Sequence, residues 1–169
     1  MRGTLRNILL AASLGACHGS TPATTPAPDD AAARDDAAPA VSLERTPCFG
    51  SCPVYRVTIS RGGMVRFEGK RFVADTGTDS AQVAKGAVDS LLAELDRGGF
   101  YDFEEQYVAG APGCGLYATD LPSAITSVDD GSRSKRIQHD RGCSDAPQAL
   151  ATLENRIDEV AGTARWTGR

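Results

Sequence analysis

Five cysteines in 169 residues set the chemistry open to this chain. Cys48 and Cys52 enclose only Phe49-Gly50-Ser51, and Gly50 lets so short a loop turn tightly enough to bring two Cβ atoms together. Such a pair is either a redox dithiol or a structural bridge. Dithiol oxidoreductases usually place two residues between the cysteines at a helix N-terminus, which lowers the attacking thiol's pKa. Here three residues intervene and Pro53 leads into a strand pattern, so a bridge is the expected reading. Cys114 and Cys143 stand alone, flanking a predicted hairpin at similar distances from its turn. With Cys17 set aside, the other four admit three pairings; the spacing favours 48 with 52 and 114 with 143, and sequence alone fixes none. No zinc site is expected, since paired ligands two to four residues apart are missing at the second end.

Two further constellations invite chemistry. His139-Asp140 beside Cys143 has the residue types of an activated nucleophile, yet His139 is the only histidine after His18 and sits in a run of Lys, Arg and Asp. Triads are recognised by geometry, not adjacency, so a packing or surface role is expected. Asp102, Glu104 and Glu105 form an acidic cluster that would suit a hydrolase or a calcium site, with nothing paired to it at a fixed distance. Helix-end glycines carry no phosphate-loop pattern. We therefore expect no catalytic residues, no metal and no cofactor. The alternative is an extracytoplasmic enzyme, either a thiol oxidoreductase at Cys48 and Cys52 or a carboxylate-based hydrolase.

The fifth cysteine speaks to location. Arg2 and Arg6 precede an apolar run from Ile8 to Ala16, too short to cross a bilayer as a helix, which takes about 20 residues. It ends in Leu14-Gly15-Ala16-Cys17, which resembles the bacterial lipobox. The resemblance implies cleavage of residues 1–16 and attachment of an acyl lipid such as palmitate to Cys17, placing the protein outside the cytosol and on a membrane. His18 in place of Asp after the cysteine favours the outer membrane over the inner. Residues 17–40 hold no aliphatic larger than Ala and read as a disordered tether, with Pro22, Pro26, Pro28 and Pro39 stiffening it and Asp29, Asp30, Asp35 and Asp36 keeping it solvated. Residues 41–169 then form one domain. The formal net charge of −4 and the scatter of basic residues exclude a nucleic-acid stripe.

Within the domain, Tyr55, Val57 and Ile59 alternate with Arg56, Thr58 and Ser60, the period of a half-buried strand. Arg61-Gly62-Gly63 turns the chain, and Val65 and Phe67 continue the inward face while Arg66 and Glu68 point out. Asp79 with Gln82 reads as a helix-capping pair, followed by Ala84, Val88, Leu91, Leu92 and Leu95 at helical spacing. Residues 104–120 read as irregular. Ala124 to Val128 and Ser134 to His139 form a second hairpin, and Asp145 caps a second helix with Pro147 in its first turn and Leu150, Leu153, Ile157, Val160 and Ala161 as its stripe. The expectation is an α+β domain of order β-β-α-β-β-α: a four-stranded antiparallel sheet with two helices on one face.

Arg45-Thr46-Pro47-Cys48-Phe49-Gly50-Ser51-Cys52-Pro53-Val54-Tyr55 resembles the opening signature of a bacterial family called domain of unknown function 6438. Phe67-Glu68-Gly69, Thr119-Asp120-Leu121-Pro122 and the closing Leu153-Glu154, Ile157-Asp158 and Trp166 extend the likeness over residues 42–167. The resemblance implies an exported protein, often behind a lipoprotein signal, and supports the domain boundary without supplying a function. Phe49 is either pushed outward, as an anchor for a partner, or turned onto the sheet as core. With Tyr55, Arg56 and Arg66 it makes the candidate binding set, for a partner that is an envelope protein or a cell-wall polymer. The expected function is a lipid-anchored, disulfide-stapled binding or structural domain.

Overall fold

The computed structural model describes residues 33 and 35–169. Cys17, the signal and most of the tether lie outside the described residues. Seven strands form one sheet: β1 (Pro39–Arg45), β2 (Val54–Ser60), β3 (Met64–Arg71), β4 (Gly77–Gln82), β5 (Gln106–Tyr107), β6 (Ser123–Asp129) and β7 (Ser134–Asp140). Their order across the sheet is β4-β3-β2-β1-β6-β7-β5, antiparallel throughout except for β5 beside β7. Helix α1 (Lys85–Arg97), a 3-10 turn (Phe100–Asp102), α2 (Gln148–Ala161) and the four-residue α3 (Ala164–Thr167) complete the fold.

This corrects the expected four-stranded antiparallel sheet with two helices. Among the described residues the sheet has seven strands and is mixed, and four helical segments follow β4. The three additional strands each hide their pattern for a physical reason. β1 is the central strand, pairing β2 on one side and β6 on the other, so it welds the two hairpins into a single sheet. Its inward residues, Val41 and Leu43, are a short signal at the end of a polar tract. β4 is an edge strand, exposed on both faces except at Ala81, so it lacks any alternation of polarity. Asp79 and Gln82 therefore cap no helix; α1 begins three residues later, with Ala84 at its N-cap. β5 is two residues inside the stretch read as irregular. Pro147 likewise stands at the cap of α2 and not in its first turn.

Alternation sorts the faces. Tyr55, Val57 and Ile59 of β2, Val65 and Phe67 of β3, and Ile137 and His139 of β7 turn inward. There they meet Val88, Leu91 and Leu95 of α1 and Leu150, Leu153 and Ile157 of α2 in one core. Phe67 lies between Tyr55 and Trp166, its ring centroid 5.3 Å from the first and stacked at 4.8 Å on the second. On the opposite face of the sheet Arg56, Arg66, Glu68, Arg136 and Gln138 are exposed, and the entering residues Asp36 and Ala37 line a depression beside Thr58, Ser60, Met64 and Arg66.

Candidate functional site

Strand directions gather four loops at one end of the sheet: the β1–β2 loop, the β3–β4 loop, the long β5–β6 connection and the segment after β7. Both disulfides lie here. Cys48 is bonded to Cys52 with Cα atoms 5.8 Å apart, and Cys114 to Cys143 with Cα atoms 4.5 Å apart. The first bridge is half-buried in its small loop, whereas the second is part of the core.

Five of the six large apolar side chains left exposed among the described residues belong to these loops: Phe49, Phe72, Leu116, Tyr117 and Leu121. Phe49 is 88% exposed and Leu116 is 83% exposed. Their backbones are nonetheless fixed. The Phe49 amide donates to the Asp120 carbonyl at 3.0 Å, and the C-terminal Arg169 guanidinium donates to the Ser51 carbonyl at 2.7 Å. Leu116 is clamped by Ser144 from both sides: its amide donates to the Ser144 hydroxyl at 2.9 Å and its carbonyl accepts from the Ser144 amide at 2.9 Å. Tyr117 pairs with Cys143 in an isolated bridge, and its hydroxyl donates to Asp140 at 3.0 Å. That carboxylate raises the Tyr117 pKa, first through the hydrogen bond. Side chains that would each contribute about 1.5 to 3 kcal/mol if buried are thus held out in water by rigid loops. Of these, Phe49 and Leu121 line one surface depression together, and exposed apolar side chains brought together are candidates for an interaction site.

Beneath the rim lies a buried polar network that sequence reasoning missed. Arg45, at the end of the central strand, donates from Nε and Nη2 to Asp158 Oδ2 at 3.2 and 2.8 Å, and from Nη1 to Glu154 Oε2 at 3.4 Å. Tyr55 and Thr163 donate their hydroxyls to Asp158 Oδ1 at 2.7 and 3.1 Å. Glu154, 1% exposed, also meets His139 Nδ1 at 2.8 Å and Arg141 Nη1 at 3.3 Å. A carboxylate held between two guanidinium groups only accepts, so the His139 Nδ1 carries the proton and donates. Burial lowers the Arg45 pKa, and the charge attraction and hydrogen bonding of Asp158, with Tyr55 and Glu154 adding to them, more than reverse this. Tyr55 is pushed strongly upward by burial and by the Asp158 carboxylate. The network therefore pins α2 to the sheet directly under the exposed loops. Its one signal in the sequence is Glu154 and Asp158, four residues apart beside the apolar stripe of α2, where a solvated face would not place them.

The residues singled out for chemistry fall into separate places. His139 packs edge-on to Tyr107 with ring centroids 6.1 Å apart, while Asp140 turns the other way, toward Tyr117 and the Gly142 amide. Cys143 is in a disulfide, so these three form no nucleophile. Asp102, Glu104 and Glu105 line a shallow surface depression with Lys135, whose ammonium donates to the carbonyls of Tyr101 and Phe103. Among the described residues no group of three or more His, Cys, Asp or Glu side chains is arranged to hold a metal. Of the binding candidates, Phe49 is at the rim and Arg56 and Arg66 are exposed on the opposite face of the sheet. Tyr55 is inside, its hydroxyl committed to Asp158.

No helix among the described residues is long and apolar enough to cross a membrane. No curated protein matches the chain significantly. The model of one family, described as domain of unknown function (DUF6438), matches residues 39–161, which takes in all seven strands, both disulfides and the buried Arg45–Glu154–Asp158 network, and the chain belongs to that family.

Proposed function

We propose that this protein is a lipid-anchored component of the bacterial cell envelope, tethered through Cys17, whose disulfide-stapled domain holds another envelope protein at the rim around Phe49. One observation carries the reading. The chain comes into the sheet at the pole opposite the rim, where the Asp36 and Ala38 carbonyls accept from the Gly62 and Arg61 amides at 2.7 and 3.0 Å. A tether attached there joins the domain at the pole opposite Phe49, Leu116 and Leu121, so the linkage to the lipid leaves those side chains unobstructed. The reading needs oxidised thiols, and both pairs are bonded.

A photo-crosslinking residue placed at Phe49 in cells, beside one at Arg97 on α1, tests it. The reading expects one discrete adduct from position 49 and none from position 97, in a membrane fraction that takes up labelled palmitate and loses the label in Cys17→Ser. Cytoplasmic protein with free thiols, or equal adducts from both positions, would overturn it.

The half-buried Cys48–Cys52 bridge favours, as a second reading, thiol exchange at that pair. Against it, Pro53 and β2 follow where a helix N-terminus would be needed to stabilise a thiolate. Thiol titration under native conditions separates the two, since a bridge that resists mild reductant speaks for the structural role.

A further inference from the structure

The two edges of the sheet are unequal. β5 offers two residues, whereas β4 offers six, Gly77 to Gln82, and among the described residues no strand lies beyond it. An edge of that length is a template for another strand. We propose that the β4 edge is a latent pairing surface for a second copy of this chain, held closed by the Asp79 carboxylate.

Register decides which main-chain groups face outward. Val83 donates its amide to the Gly63 carbonyl at 2.9 Å, and Val65, Phe67 and Gly69 stand opposite Ala81, Asp79 and Gly77. In an antiparallel ladder, opposed residues alternate between exchanging hydrogen bonds and making none. Gly77, Asp79, Ala81 and Val83 are therefore the residues bonded to β3, and the amides and carbonyls of Thr78, Ser80 and Gln82 point away from the sheet. Gln82 turns its side-chain amide back to the Gly62 and Val83 carbonyls at 2.8 and 3.1 Å, which leaves its main chain open. The middle amide is taken: Ser80 N–H donates to Asp79 Oδ1 at 2.7 Å. Asp79 stands opposite inward-facing Phe67, and its Oδ2 accepts the Trp166 indole N–H at 2.7 Å. Trp166 is stacked on Phe67, and its carbonyl accepts from the Asp75 amide at 2.9 Å. Helix α3 thus orients the carboxylate and ties down the segment that leads into β4. A charged side chain turned inward on an edge strand blunts pairing. Here an approaching carbonyl would meet the Asp79 oxygen where it needs the Ser80 amide.

The groups that point outward are main-chain ones, so the occupant is another strand edge, and β4 complements itself. Turned antiparallel about Ser80, it sets Ser80 opposite Ser80 of the second copy, Thr78 opposite Gln82, and Asp79 opposite Ala81. Outward residues then meet outward residues, the condition for exchanging hydrogen bonds. No like charges stand directly opposite one another. Residues 77–82 contain no proline or lysine to obstruct the approach. With Asp79 in place, the central pair of this ladder lacks its donor on both copies.

Sedimentation velocity over a range of concentrations reads the association, on the full chain carrying Cys17→Ser, with the same N-terminal residues in every variant. Asp79→Ala should form a dimer with an affinity at least about tenfold above the parent's, the scale of one charge-assisted hydrogen bond released. Ser80→Pro removes only an outward N–H and leaves the bonds to β3 whole, as edge-strand proline does. Added to Asp79→Ala, it should return the protein to monomer, an effect that separates edge pairing from aggregation of a misfolded variant. Amide hydrogen exchange on the parent needs no variant: corrected for intrinsic rates, Ser80 should exchange at least about tenfold more slowly than Thr78 and Gln82. Asp79→Ala no more associated than the parent, a dimer that survives Ser80→Pro, or a Ser80 amide as fast as Thr78 and Gln82 would each overturn the proposal. Loss of the dimer when Phe49→Ala is added to Asp79→Ala would assign the contact to the rim and overturn it as well.

Discussion

Arg45 and Asp158 are 113 residues apart in sequence and joined by two hydrogen bonds at 2.8 and 3.2 Å, so that the last residue of the central strand grips the last turns of α2. Because Arg45 also neutralises Glu154, removing the guanidinium leaves a fully buried carboxylate with only Arg141 and His139. Breaking a buried charged network from one side costs about 3 to 5 kcal/mol. Arg45→Ala is expected to fall in that range by chemical denaturation. A loss below about 1 kcal/mol, the scale of an exposed pair, would show that water already reaches the network.

The two disulfides should differ in weight and in reach. Cys114–Cys143 closes a loop of 29 residues, for which the chain-entropy estimate is about 3 to 4 kcal/mol; the four-residue separation of Cys48 and Cys52 gives about 2. The small bridge is also the accessible one. Under mild native reduction followed by alkylation and mass spectrometry, Cys48 and Cys52 should be labelled first, with Cys114 and Cys143 labelled only when the protein unfolds. Simultaneous labelling would contradict the burial seen around Cys114.

Trp166, the single tryptophan, donates its indole N–H to Asp79 Oδ2 at 2.7 Å and so ties α3 to the edge strand β4. The Ser80 amide first, and then this indole, hold the Asp79 pKa below its ordinary value. A depressed carboxylate pKa contributes stability that is fully present above the unfolded value, near about 4, and is lost as pH falls through the lower folded value. Asp79→Asn should therefore be less stable than the parent at neutral pH, with the gap closing below about pH 4. Trp166 fluorescence during denaturant titrations at several pH values reads this directly. A gap that persists undiminished in acid would mean that ionisation of Asp79 has no part in it.

These same residues show where the sequence was legible. Tyr55, Val57 and Ile59 against Arg56 and Thr58, and Val88, Leu91 and Leu95 at helical spacing, carry their structure in a period that burial on one side imposes. Asp79 and Gln82 carry none, because an edge strand with two wet faces has no polarity to alternate, and their spacing imitates a capping pair. In the fold, Asp79 instead serves Trp166, and the Gln82 amide donates to the Gly62 carbonyl at 2.8 Å. β1 was obscured because its role is set by partners on both sides, β2 and β6, and pairing is not written locally. At the rim, the Cys48–Cys52 loop left Phe49 free to turn either way. Its loop is held by contacts distant in sequence, among them the Phe49 amide on the Asp120 carbonyl 71 positions along the chain, and the ring stands 88% exposed.

That outward position makes Phe49 separable from the fold. Phe100, fully buried under α1, should cost about 3 to 5 kcal/mol when changed to Ala, because its removal leaves a cavity in a packed core. Phe49, 88% exposed, leaves no cavity, and Phe49→Ser should change stability by no more than about 0.5 kcal/mol. If the loop exists to present that ring, the same substitution should remove the discrete adduct when the crosslinker is moved to the neighbouring Leu121, with the melting curve unaltered. A large loss of stability in Phe49→Ser would place the ring in the core and end its candidacy as an anchor. An unchanged adduct from Leu121 would show that the contact belongs to the other apolar residues of the rim.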